Sequence, residues 1–574
     1  MLQKIQMLYF SWVPAVYPSG VRSFMKGISG REWLLLSEFI KPQEELQERY
    51  GYLVAQLLAN RNVDDKVFDN KLKNLLPSHL IPNMEQAVER IIRSVKKKER
   101  IIIYGDYDVD GITGTVMLYD FLKKAGAKVY PVLPTRQTGY GLRKDLVDTF
   151  AKYAQLLITV DNGTTAIEEL KNSPIETIII DHHNPHEELP HALIVNPKID
   201  QGAPNELKEI SSVALCFYLT ARLNRELNVE LDVRDYLYLT AIGTLADMMP
   251  LNPLNRILVS NGIRMLNYIL AGGETTSYGI KMLLEGIGIK GEVTSKDITF
   301  SVAPRLNAPG RVSRPKISMN LLLSKDINTA RVWFKKVEEA NEQRKHISNI
   351  AFEKAISEVT SQKERNFLVV RMGEWASGVA GIVAGRLSNL LSKPSAVFSV
   401  GKELATASVR GVEGINVYEG LKKLAHMYIK WGGHTSAAGI TIRREQVQTF
   451  ETLVEQVFSQ IKKEEPRLYI DMILDPTRVD QEVISALKSL EPYGEGFPPP
   501  LFVSPPMRIE KVESINGRFI LRAQHNITFV SYDAILRDKW EELPGSIRKI
   551  AYSIDTRKAR LFHLVDVEEL NGSW

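Results

Sequence analysis

RIIIYGDYDVDGITGT, residues 100–115, decides how this chain is read. It opens on an apolar, β-branched run of strand length and passes at once to aspartates at 106, 108 and 110, set between Gly105 and Gly111. An apolar run that stops on acid and glycine predicts a buried strand emptying into a loop. The same grammar recurs downstream. LLITV at 156–160 is followed by Asp161-Asn162-Gly163, and TIII at 177–180 by Asp181-His182-His183. With residues 128–133 these make four predicted strands, and residues 114–124, 144–151 and 164–171 carry helical patterns between them. Strand and helix alternating at that spacing predict βαβ units and a mostly parallel sheet. In such sheets chemistry collects where the chain leaves the carboxyl ends of the strands.

The three clusters are therefore expected in one cleft. A fourth acid, Asp247, joins from the end of the apolar helix predicted over 236–246. Converging carboxylates repel one another and are costly to desolvate unless something pairs them. Divalent cations resolve that conflict, and oxygen ligands with imidazole but no thiolate suit Mn²⁺ or Mg²⁺ better than structural zinc. Each piece has a plainer reading alone. Asp161 after a strand reads as a helix N-cap, and paired histidines are usually incidental. DxDxDG opens like a calcium loop, but such a loop needs Glu at its twelfth position, where Met117 stands. Three clusters each placed directly after a strand outweigh those readings. The glycines at 105, 111 and 163 are expected to let the backbone turn tightly beside the metals.

Composition sets the wider bounds. A chain of 574 residues implies about three to four domains, and 44% apolar with 25% charged residues is ordinary globular usage. The apolar runs are strand-length, so no membrane span is expected. The single cysteine, Cys216, cannot form an internal disulfide and lies in an apolar stretch, where a small buried hydrophobe and a cytoplasmic setting are expected. A net charge of +5 permits a polyanionic partner without demanding one.

The fold class expected is α/β, in modules. Residues 1–30 read as a non-structural extension: the apolar stretch after Lys4 is broken by Pro14 and Pro18 and lacks a cleavage pattern, and Met25 is an alternative start. Residues 31–98 read as a helical cap, 99–270 as the parallel-sheet domain and 271–365 as a helical connector. The connector ends in a long helix over 327–362, free of Gly and Pro. A second α/β domain is expected at 366–465, with strands at 367–371 and 395–399 and a glycine-rich segment at 432–439. Short alternating strands at 468–473, 507–515, 518–522, 527–532, 548–553 and 559–565 predict a small β-barrel over 466–574.

At these motifs the chain resembles a known family. YGDYDVDGITGT at 104–115, ITVDNG at 158–163, DHHNP at 181–185 and GTLADMMP at 243–250 look like the ordered motifs of the DHH phosphoesterases. APRLNAPGR at 303–311, NEQRK at 341–345, GVAGIVAGRL at 378–387, GGHTSAAG at 432–439 and LEPYGEGFPPPLF at 490–502 extend the likeness to the RecJ family of single-strand-specific 5′→3′ exonucleases. The match runs in order over roughly four-fifths of the chain.

The resemblance implies a DHH catalytic domain, a long bridging helix, a DHH-associated domain and a C-terminal OB-type barrel. It implies two Mn²⁺ or Mg²⁺ ions, one held by Asp108 and Asp161, the other by Asp110, His182 and Asp247, with Asp161 bridging. Asp106 would orient a neighbour or a water or else serve as a further ligand, Asp181 would orient a ligating imidazole, and His183 would contact the scissile phosphate or assist proton transfer. His434 beside Gly433 matches the substrate-binding motif and is expected to face the metals. Ser408 and Arg410 match the 5′-phosphate pocket, which Arg136 would join, and Arg305 and Asn307 fall in a further substrate motif. The barrel would track single-stranded DNA, with Phe519, Phe529, Tyr532 and Trp540 read equally as barrel core or as stacking platforms. The family further implies DNA repair and recombination, a monomer, no membrane, and a single-strand-binding protein and RecQ-like helicase as partners.

Four stretches depart from the family pattern: ISSVAL at 210–215 in place of glycines, Trp375-Ala376 in place of Trp-His, a short loop at 136–141, and Phe497 in place of Asn. The alternatives are another DHH phosphodiesterase acting on short oligonucleotides or cyclic dinucleotides, and a non-catalytic replication scaffold. The barrel argues against the first, and the five intact candidate ligands against the second.

Overall fold

Two short strands, β1 (Met25–Lys26) and β2 (Glu32–Leu35), pair antiparallel near the N-terminal end of a computed structural model. The structure describes residues 25–136, 139, 141–275, 277–362, 364–462, 466–515, 518–531, 540–557 and 561–569. Regular structure is thus present ahead of the expected residue 31: Ile28 and Trp33 are buried, and EWLL, read as helical, is a strand because both its edges find partners, β1 and residues 467–470. The chain divides into two compact units, one of Lys66–Gln343 with Glu491–Phe497, the other of Met1–Asp65, Arg344–Leu490 and Pro498–Trp574. The expected 31–98 cap is split between them.

The unit around residues 66–343 is built on a five-stranded sheet, β3 (Arg100–Gly105), β4 (Lys128–Val132), β5 (Leu156–Val160), β6 (Glu176–Ile180) and β7 (Leu193–Val195). Its order is β4-β3-β5-β6-β7, with every pair parallel. Ile101, Ile103, Leu156–Val160 and Ile178–Ile180 are essentially solvent-free, Thr159 included, as strands covered on both faces must be. Helix α1 (Val109–Lys124) follows β3 and starts five residues earlier than its pattern predicts, because the Asp108 carboxylate caps it, accepting from the Gly111 N–H at 3.1 Å. Helices α2 (Ser212–Leu227), α3 (Leu237–Ala246) and α4 (Ala303–Val312) complete the surroundings of the sheet edge. The helix expected over 164–171 is a single turn at Ile167–Leu170. Cys216 is buried on α2.

Helix α5 (Ile327–Val359) runs 33 residues, about 50 Å at 1.5 Å per residue, and the unit boundary falls within it. In the second unit Ala351, Ala355 and Val359 enter a core with β8 (Leu368–Gly373), α6 (Ala380–Leu391) and β9 (Ser395–Val400). The sheet continues through β10 (Leu404–Arg410), β11 (Lys430–His434) and β12 (Ala437–Arg443) in the order β11-β12-β10-β9-β8. The glycine-rich segment at 432–439 is therefore a hairpin, Gly432 opposite Gly439.

The last module contains β13 (Arg467–Ile470), β14 (Met472–Ile473), β15 (Phe502–Val503), β16 (Met507–Ile515), β17 (Arg518–Ala523), β18 (Ile527–Ser531), β19 (Ile547–Arg548), β20 (Ile550–Ile554) and β21 (Leu561–Val567). Strand β13 runs parallel to β2. The other eight form one sheet, β14-β15-β20-β21-β18-β17-β16-β19. Only Lys549 separates β19 from β20, so the strand at the end of that order continues into one in its middle and the sheet curls into a barrel. Phe502, Phe529, Tyr552 and Phe562 fill it in edge and tilted ring contacts. Phe519 and Trp540 are buried against each other at 5.3 Å, so Phe519, Phe529 and Trp540 are core rather than platforms. Tyr532 lies outside the described residues. No helix among them is long and apolar enough to cross a membrane.

Candidate metal centre

Strand register assembles the acids. Gly105 pairs with Val160, and Val160 with Ile180. Asp106, Asp161 and Asp181 are each the next residue, so they form one row along the carboxyl edge. The ladder continues one step to hold them: the N–H groups of Asp106, Asp161 and Asp181 donate to Val160 O, Ile180 O and Val195 O at 3.1, 2.9 and 3.3 Å. Asp161 then turns through the left-handed region (φ 64°), which short polar side chains tolerate best. Of the three glycines expected at turns, Gly163 alone has a positive φ. Gly111 serves close approach instead, since a Cβ there would meet Asp106 N at 2.6 Å.

Three groups result, each able to bring three ligand atoms within reach of one ion: Asp110–His182–Asp247, Asp106–Asp108–Asp161 and Asp161–His182–His183. His182 Nε2 stands 3.3 Å from Asp247 Oδ2, 3.4 Å from Asp161 Oδ1 and 4.0 Å from Asp110 Oδ2. Asp106, expected to orient a neighbour or a water, sits as close to Asp108 and Asp161 as a ligand would. Its Oδ1 and the Nδ1 of His182 are buried with no hydrogen-bond partner among the described residues. Asp110 is steadied at the start of α2, where Ser212 and Val213 N–H groups donate to its two oxygens at 2.8 and 2.9 Å.

Burial, then mutual repulsion, raises the carboxyls of Asp106, Asp110, Asp161 and Asp247, Asp110 to about 7. Buried acids that hold one another protonated are what a divalent cation relieves, and the donor set of carboxylate oxygen and imidazole fits Mn²⁺ or Mg²⁺. The two histidines separate. Burial, then the charge of His183, holds His182 down to about 3, a neutral imidazole fit to ligate. Burial works against a charge on His183, but the Asp181 carboxylate 2.7 Å from its Nδ1 prevails and raises it to about 9. Asp181 thus serves His183 rather than His182, and also accepts from the N–H groups of Thr164, His182 and His183. Asn196 closes the ring, its amide donating to His183 O at 2.9 Å.

The other candidates fall as follows. Arg136 lies 4.6 Å over the Tyr107 ring, in the unit of the acids. Arg305 is paired with Glu338 at 2.6 Å and donates to Ser301 O, so its guanidinium is held by the protein's own groups. Asn307 is half-buried on α4. In the other unit Ser408 and Arg410 share a face of β10, two residues apart. A Cβ on Gly381 of α6 would stand 3.0 Å from Arg410 Nη2 and 3.5 Å from Ser408 Oγ, so this glycine keeps both approachable. Arg410 donates to Val409 O and, among the described residues, has no carboxylate partner. Gly433 and His434 end β11, with His434 exposed.

The departures also resolve. Phe497 is buried beneath the Arg256 guanidinium, 4.4 Å from its ring centroid, while Arg256 donates to Pro492 O and Glu491 O. Trp375 is half-exposed and Ala376 buried. Ser211 caps α2 and bonds Thr244 of α3 at 2.8 Å. Ser212, which no motif singled out, donates its hydroxyl to Asp161 Oδ1 at 3.0 Å. A serine at a helix start reads as a cap, and only the fold shows which of two adjacent serines is one.

Comparison with known proteins agrees with this architecture. Residues 100–244 match the DHH family N-terminal domain, 364–460 the DHHA1 domain and 470–558 the RecJ OB domain. The chain is 31% identical to the single-stranded-DNA-specific exonuclease RecJ of Haemophilus influenzae, covering 91% of this chain and 94% of that protein. It is 30% identical to RecJ of Escherichia coli over the same shares. Against RecJ of Bacillus subtilis it is 31% identical but spans 60% of that protein's length. The crystal structure of RecJ in complex with Mn²⁺ from Thermus thermophilus superposes with a TM-score of 0.80 at 25% identity, over 94% of this chain and 80% of that one.

Proposed function

The chain belongs to the RecJ family, and from that premise we propose that it is a metal-dependent, single-strand-specific 5′→3′ exodeoxyribonuclease of DNA repair and recombination. The observation that carries the reading is the cluster of buried acids Asp106, Asp110, Asp161 and Asp247, whose carboxyls burial and then mutual repulsion raise, a cost that bound cations relieve. Asp108, Asp110, Asp161, His182 and Asp247 would hold two Mn²⁺ or Mg²⁺ ions, Asp161 shared and Asp106 beside Asp108. Bound there, such ions supply a water of lowered pKa and neutralise phosphoryl oxygens.

The chain's own residues do the rest. His183, kept charged by Asp181, meets a non-bridging oxygen of the scissile phosphate, while neutral His182 ligates. Ser408 and Arg410 hold the 5′-phosphate, with a guanidinium that has no acid of its own to satisfy. His434 and Gly433 touch the strand beside it, and Arg136 the phosphates near the acids. Hydrolysis breaks the P–O3′ bond and adds water: the first nucleotide leaves with its 5′-phosphate and a 3′-hydroxyl. The shortened strand carries a new 5′-phosphate, the group the Ser408–Arg410 pocket holds, which gives the reaction its direction. The RecJ OB match at 470–558 supports a polymer over a cyclic dinucleotide. A single-strand-binding protein and a RecQ-like helicase would supply such strands from duplex DNA to the monomeric, cytoplasmic enzyme.

Single-stranded DNA labelled at either end, duplex DNA and RNA, each with Mn²⁺, Mg²⁺ or chelator, test this. Mononucleotides should come from the 5′ end of single strands and only with metal. Equal digestion from both ends would refute the polarity.

A further inference from the structure

The candidate carboxylates differ in how they are held. Asp108 accepts from Gly111 N–H, and Asp110 from two backbone N–H groups. Asp181 accepts from three backbone N–H groups besides the His183 ring. Asp161 differs: among the described residues, the donor that reaches its carboxylate is a side chain, the hydroxyl of Ser212, at 3.0 Å. The oxygen it bonds, Oδ1, is the atom 3.4 Å from His182 Nε2. Ser212 is fully buried, and its own N–H is fixed on Asp110 Oδ2, so its hydroxyl is placed by backbone that cannot drift.

Rotation of a carboxylate about its last bond is loosely restrained, and a single well-placed donor selects the orientation. We propose that Ser212 is the positioning residue of Asp161, setting the orientation of the shared carboxylate and with it the affinity for the divalent cation. The proposal rests on the metal reading above. It also places one short segment, Ser211 to Val213, in charge of two ligand carboxylates, Asp110 through its backbone and Asp161 through a side chain.

The test is direct Mn²⁺ titration of the full-length protein, read as free Mn²⁺ by electron paramagnetic resonance, together with the thermal midpoint in chelator. Wild type, Ser212→Ala, Ser212→Gly and Asp161→Asn are compared. Loss of such a supporting hydrogen bond should weaken Mn²⁺ binding about 10–100-fold in both Ser212 variants, with the chelated midpoint unchanged. Wild-type affinity in both variants would overturn the proposal. So would unaltered affinity with a lowered chelated midpoint, or failure of both variants to fold, because either marks a purely structural role. If Asp161→Asn binds Mn²⁺ as wild type does, the metal reading fails and takes this inference with it.

Discussion

Buried acids occur in both units, and they live under opposite conditions. In the unit carrying the barrel, Asp471 accepts from Arg61 at 2.8 and 3.3 Å, Asn60 at 2.9 Å and Leu501 N–H at 2.9 Å. Asp566 accepts from the Ser29 hydroxyl at 2.6 Å and the Trp33 indole at 2.9 Å. Each of these carboxylates is surrounded by donors, which at Asp566 offset part of the upward shift that burial imposes. In the unit of the parallel sheet, Asp106, Asp110, Asp161 and Asp247 are surrounded by one another. A buried acid ringed by donors joins distant segments; a cluster of acids facing one another is an unfinished site that a cation completes.

The contrast can be broken at three points. The largest expected effect is on catalysis. Asp161→Asn should lower the exonuclease rate by about a thousandfold or more, as removal of a strong electrostatic contact at a reaction centre does. In chelator its thermal midpoint should rise, because an acid whose ionisation burial and its neighbours oppose has left the cluster; a fall would mean the acids are structural after all. Next, Asp471→Ala should destabilise its unit by about 3–5 kcal/mol, since the Arg61 guanidinium is then buried without its partner. Urea unfolding measures the loss, and the rate per folded molecule should stay near wild type.

The smallest effect is a pH slope. Asp110 titrates at about 7 when folded against an ordinary 3.8, and its neighbours are raised too. Between those values the folded state binds more protons than the unfolded one, so stability falls as pH rises through that window. From pH 5.5 to 8 one such acid should cost the chelated protein about 2 kcal/mol. Saturating Mn²⁺ should abolish the slope, as read from thermal midpoints across pH.

The parts of the site that follow a strand directly were legible. LLITV at 156–160 is bounded by Gln155 and Asp161, and the strand begins and ends there. Asp106, Asp161 and Asp181 could be placed at one edge because each is the first polar residue after such a run. What escaped reading depends on partners far along the chain. The strand at 32–35 pairs with 467–470, and nothing local distinguishes EWLL from a helical turn. Arg305 sits in a substrate motif, yet Glu338 takes its guanidinium. The hairpin at 430–443 was hidden by its glycines, which weaken the strand pattern while leaving Ser408 and Gly439 free to pair.

The register Gly105–Val160–Ile180 also limits what the gene can tolerate. Loops between strand and helix can lengthen at little cost. A one-residue insertion inside 100–106, 156–161 or 176–181 is another matter. It would shift an acid by about 3.3 Å and turn it to the opposite face of the sheet. Divergence in length should therefore accumulate everywhere except in three short windows, each ending on an aspartate.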